Sequence, residues 1–398
     1  MGLKDNRYYN GVTERRTTTG CSALALIVAS TTVGSAASAP PKTDTGPLAL
    51  TPTRTVWTLA LNAHLTQPPV YDDANGYFAI EGERLAAYDL RAATLLWIVT
   101  AKPSTALAAG GGLVFFVQDD LLTALHASDG SAAWTTPFPE RVTVSPVWTA
   151  GWLIVATVGG SLHAFRANDG TPIWRHEVGA GAHAPPAISA DRVYVSAEND
   201  RLVSLQIETG EQVWERRLGG PPNEVLAVDD RVFVGSTDHY LYCIAAADGS
   251  VVWRWRAGGE VAGLPSADDE RVYFVSLDNV LRALNRGHGV QQWIQMLKLR
   301  PIGGPVKAGA TIVVSGLQPP LRAFDQKDGK PGSDANVTGQ VVAPPHVLGD
   351  DQTPALVVVT RDIAAGDTLT FITRSLDPAP TPFAAFPSAL TTLPALAK

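Results

Sequence analysis

The chain has 398 residues, 45% hydrophobic and 17% charged, a globular composition that excludes wholesale disorder. The net charge is −7; without the first 39 residues, 27 basic and 36 acidic side chains remain, a net −9 with no Lys/Arg run. That balance excludes nucleic acid as a partner and argues against direct binding to anionic membrane surfaces.

In chain order, residues 1–20 are polar and carry Arg15-Arg16, residues 21–33 are apolar, and small residues follow through Ala37-Ser38-Ala39. This is the pattern of a signal peptide, expected over 1–37 with cleavage after Ala37, and it places the mature protein outside the cytoplasm, in the periplasm or cell envelope. The apolar run is too short to span a bilayer as a helix. Twin-arginine export is disfavoured because Thr17-Thr18-Thr19-Gly20 follows the arginine pair. Lipidation at Cys21 is disfavoured because the apolar run follows the cysteine instead of preceding it; without it, membrane association is only indirect. Residues 38–54, rich in Pro, Thr and Ala, read as a linker, and residues 377–398 as a Pro/Ala-rich tail.

Between them runs a repeat of roughly 40 residues. Seven tryptophans mark it: Trp57, Trp97, Trp134, Trp174, Trp214, Trp253 and Trp293. Ten residues before each tryptophan from the second onward stands a small residue: Ala87, Ala124, Ala164, Ser204, Cys243 and Ala283. Two residues further upstream the residue is always leucine, and four before the tryptophan stands glycine, except for Ala93. A further copy keeps Leu321, Ala323, Phe324 and Gly329 but has Ser333 in the tryptophan slot. The leucine and small residue belong on a strand packed on both faces, Asp-Gly marks a tight turn, and the tryptophan lies on the next strand. A second apolar run and a Pro/Gly segment upstream complete four short strands per unit, which is one propeller blade.

The leading segments begin near Pro68, Ser104, Thr143, His183, Asn223, Val261, Pro301 and Val341, giving eight units. The expectation is an all-β, eight-bladed propeller of four-stranded antiparallel blades over 55–376. The orphan strand Thr55–Leu61 is expected to close the ring against the strand near Leu369–Thr373 and so remove an open edge.

The motif Leu-x-Ala-x-Asp-x-x-Thr-Gly-x-x-x-Trp, seen in Leu85-Ala86-Ala87-Tyr88-Asp89, in Glu208-Thr209-Gly210-Glu211-Gln212-Val213-Trp214 and in Leu321–Asp325, resembles the tryptophan-docking repeat of the pyrroloquinoline-quinone-like propellers. The resemblance implies that each indole packs on small residues and on a neighbouring blade's turn, and that Cys243 fills an alanine slot. It offers two functional classes. Quinone-dependent dehydrogenases carry long blade insertions, calcium ligands, a catalytic Asp and often an adjacent cysteine pair; this chain has no Cys-Cys and almost no insertions. The non-enzymatic class, BamB-like scaffolds of the outer-membrane β-barrel assembly machinery, matches the layout better. The expectation is therefore an extracytoplasmic protein–protein interaction scaffold with envelope partners, no catalytic, cofactor or metal site, and a quinone-dependent dehydrogenase as the alternative.

No P-loop, zinc, lipase-type or EF-hand motif occurs. Asp119-Asp120, Asp229-Asp230, Asp268-Asp269 and Asp350-Asp351 read as solvated turn acids, and His126 and His163, on strands of different blades, do not suggest a shared ligand set.

Overall fold

In the repeating unit the two middle strands alternate apolar side chains that are buried on both faces, whereas the outer strand alternates exposed and covered positions. A sheet with this pattern must be sandwiched between neighbours along its inner strands and meet solvent only at its rim. The computed structural model describes residues 46–72, 74–142 and 144–375; the expected signal peptide and tail lie outside the described residues. Within them the chain forms eight antiparallel sheets in sequence order, an eight-bladed β-propeller.

Blades one to six are four-stranded meanders over 70–100, 108–137, 147–177, 187–217, 222–256 and 261–296, each running from the central channel outward. Blade seven, 306–325, has three strands. Its fourth is replaced by an irregular segment containing Pro331, Gly332 and Ser333, in which Gly332 and Ala335 still hydrogen-bond to Ala323 and Leu321. Proline lacks the donor a regular strand needs and Ser333 cannot supply the missing indole, so the fourth segment of this blade pairs only through isolated bridges, Leu321 with Ala335 and Phe324 with Pro331.

Blade eight combines strands from 340–374 with the first strand of the chain, Thr53–Ala60. That strand pairs antiparallel with Gly366–Arg374, placing Trp57 opposite Phe371 and Leu59 opposite Leu369. The ring is thus closed by the N-terminal strand. Of the segment expected as a linker, residues 48–52 pack against blade seven: Leu50 is buried, its N–H donates to Thr311 Oγ1, and Ala49 bridges Gly309.

Candidate interaction face and the blade seams

The tryptophan slots define the seams. Trp97 pairs across the strand with Ala87, Trp134 with Ala124, Trp174 with Ala164, Trp214 with Ser204, Trp253 with Cys243 and Trp293 with Ala283. In all six the register slips just after the small residue, a β-bulge that re-aims the indole. The indole then reaches the next blade. Trp97 Nε1 donates to the Ala127 carbonyl at 2.7 Å, and the equivalent bonds run from Trp134 to Ala167, Trp174 to Ile207, Trp214 to Ala246, Trp253 to Arg286 and Trp293 to Gln326, at 2.6–3.2 Å. The ring lies on the next blade's turn glycine: a Cβ on Gly130 would sit 2.8 Å from Trp97, and one on Gly329 2.5 Å from Trp293. Each of these glycines also has positive φ, near +70°, so the position excludes a side chain twice over.

The small residues are fully buried. Burial pushes the Cys243 thiol up to about 12, which leaves it protonated and inert. Ala323 is buried in blade seven with no indole opposite it. At the closing seam Phe371 takes the small-residue slot and stacks on Trp57 at 5.4 Å, Ala93 takes the glycine slot, and Trp57 Nε1 is buried without an acceptor.

Several seams carry polar clusters that the spacing did not reveal. Arg282 is buried in blade six, bonded to Ser276 and Asp278 and stacked over Trp255 of blade five at 5.0 Å. Burial pushes the Asp278 carboxyl up, but Arg282 and Ser276 more than offset this and bring it to about 2. Asp367, fully buried, ties blade eight to the start of blade one through Arg361, the Leu65 N–H and His64. Tyr71 of blade one stacks on His346 of blade eight at 4.1 Å. Asp268 is a correction to the solvated-acid expectation: it is largely buried and accepts bonds from the Tyr273 hydroxyl and from the Gln326 amide.

Ser161, His163 and Glu140 come together without the geometry of a nucleophile relay. Both Ser161 Oγ (3.1 Å) and Glu140 Oε1 (3.2 Å) face the same His163 nitrogen, Nε2, and Ser161 is buried. A relay needs the acid on the opposite ring nitrogen and an exposed hydroxyl. His126 lies in blade two, apart from this cluster.

The central channel opens on one face through a mouth of about 520 Å³ lined by the innermost strands and entry loops of blades four to eight, including Asn223, Glu224, Glu260 and Ile302. Asn223 donates to Glu260 and to the Val261 carbonyl, fixing the wall. Glu224 sits where burial raises its pKa, partly offset by the Leu264 N–H. Leu264 and Leu277, 44% and 38% exposed, stand beside them. The lining does not fit a quinone: a planar redox ring needs an aromatic platform, and none of the ten tryptophans lines the mouth. Seven occupy the repeat slot, Trp148 covers Gly110, Trp152 packs in the cluster shared by blades three and four, and Trp255 faces Arg282.

Comparison with known proteins agrees with this architecture. A profile of the family described as "Outer membrane protein assembly factor BamB" matches residues 48–148, 118–228 and 215–368. Similar solved structures include BamB from Moraxella catarrhalis (TM-score 0.65, 19% identity, covering 82% of this chain and 99% of that one). The computationally designed Ika8 protein is similar at TM-score 0.67 and 13% identity, over 79% of this chain and 98% of that one. Quinohemoprotein alcohol dehydrogenase from Comamonas testosteroni is similar at TM-score 0.63 and 14% identity, over 81% and 76%. No curated protein matches the chain in sequence. Identities this low carry the fold alone, but the profile spans most of the chain, and with its repeated seam the chain belongs to the pyrroloquinoline-quinone-like β-propeller family described as outer membrane protein assembly factor BamB.

Proposed function

We propose that the protein is a non-enzymatic, extracytoplasmic interaction scaffold acting in outer-membrane β-barrel protein assembly. The observation that carries this reading is the division of labour in the ring. All ten indoles are engaged between or within blades, while the apolar side chains left exposed at the channel mouth, Leu264 and Leu277, stand on a rigid frame. A rigid ring that presents apolar and acidic groups together suits recognition of another chain. The family's description and the signal-like N-terminus support the envelope setting.

The test is recovery of partners from gently solubilised envelopes with the tagged full chain. Recovery of β-barrel assembly components, lost in Leu264→Glu/Leu277→Glu, is the expected result. Dye-linked oxidation of alcohols after addition of pyrroloquinoline quinone and calcium would overturn the non-enzymatic reading.

A further inference from the structure

We propose that the cleft between blades one and two is a docking pocket for a peptide segment that presents one apolar side chain flanked by Lys or Arg; this rests on the scaffold reading above and names a second surface for it. Two positions recur at each seam between blades one and seven: the residue two after the tryptophan, and the residue just before the small residue of the next blade. At the fourth, fifth and sixth seams they hold Arg216 and Tyr242, Trp255 and Arg282, and Gln295 and Arg322. The second and third seams each hold a histidine there. At the fifth seam the two side chains meet as a cation–π pair that fills the space.

The first seam holds Val99 and Thr123 instead, and both line an open cleft of about 300 Å³. The floor is apolar, made by Ala101, Phe116 and Leu125, all buried in the core cluster shared by the two blades. Leu121, 39% exposed, forms one lip. This is room for a large aliphatic or aromatic side chain, and burying one there removes apolar surface on both sides from water.

The rim supplies the charge preference. Asp119 and Asp120 form the turn beside Leu121, both exposed, and neither carboxylate has a cation within ion-pair distance among the described residues. Lys102, next in the chain to the lining residue Ala101, is taken by Glu83 at 3.0 Å, and its backbone N–H donates to Gln118 Oε1. Asp119 accepts a hydrogen bond from the Gln118 amide but no cation neutralises either carboxylate, so the net field over the cleft is negative. It favours an incoming basic side chain and disfavours an acidic one.

The experiment titrates fluorescein-labelled Lys-Leu-Lys-Leu-Lys into the full chain and reads anisotropy, with Lys-Ala-Lys-Ala-Lys and Glu-Leu-Glu-Leu-Glu as comparators. The leucine–lysine peptide should bind at least about tenfold more tightly than either, the equivalent of burying one leucine side chain. Val99→Trp/Thr123→Arg copies the pair already accommodated at the fifth seam, so it should fold, with an unchanged melting temperature as the check, and weaken binding by about tenfold or more. Asp119→Asn/Asp120→Asn leaves the floor intact and should weaken binding with a flatter salt dependence. No binding of the leucine–lysine peptide, or binding unchanged in the filled-cleft variant, overturns the proposal. If envelope partners are recovered equally by the wild type and by the filled-cleft variant, this pocket falls while the scaffold reading stands. If the peptide binds in the cleft but no envelope partner is recovered, the reverse holds.

Discussion

Trp57 stands across its strand pair from Phe371, where the six other seam tryptophans stand opposite Ala, Ser or Cys. The ring is therefore joined at its ends by chemistry different from that joining its interior blades. At the closing seam an aromatic stack and the Asp367 clasp replace the small-residue slot and the indole hydrogen bond.

This difference predicts unequal costs for removing an indole N–H. Trp97→Phe leaves the Ala127 carbonyl without its donor, whereas Trp57→Phe removes a buried N–H that has no acceptor. The two changes remove similar apolar volume, so Trp97→Phe should cost more, by about 1 kcal/mol or slightly above. Urea unfolding of the two variants decides it, and equal midpoints would contradict the seam geometry.

The turn glycines should tolerate no side chain. Gly130→Ala places a methyl within 2.8 Å of Trp97 at positive φ, and is expected to cost about 2–4 kcal/mol. Trp97→Ala should cost about 3–5 kcal/mol. Both are read from denaturation midpoints.

Acid should weaken the closing seam through His346. Burial lowers its pKa from 6.5 to about 4, with Asp72 opposing weakly. A lowered histidine pKa means the unfolded chain binds the proton first, so stability is complete above pH 6.5 and falls as the pH drops towards 4. By pH 5 the loss is about 2 kcal/mol. His346→Phe keeps a ring against Tyr71 and should flatten stability between pH 7 and 5; an unchanged pH slope would remove His346 as the cause.

The Asp278–Arg282 pair should show strong coupling. Arg282→Met leaves the Asp278 carboxylate without its cation beside an apolar seam and is expected to cost about 3 kcal/mol. Asp278→Asn in addition should recover much of that loss. A double-mutant cycle with no coupling would mean that Arg282 acts only by packing on Trp255.

By itself the sequence determined the class, the blade count and the identity of the closing strand. These follow from periodic quantities: a 40-residue spacing of indoles, small residues ten before them, Asp-Gly turns, and one tryptophan strand without a unit of its own. The tertiary structure decided what depends on pairs of residues far apart along the chain. The bulge that re-aims each indole, the missing outer strand of blade seven, the burial of Asp268 and the Asp367 clasp, whose partner His64 lies 303 residues away, all arise from register and packing between segments. The cleft between blades one and two has the same origin. Val99 and Thr123 are ordinary strand residues in the sequence, and they line a pocket only because the ring sets them against each other with nothing large between them.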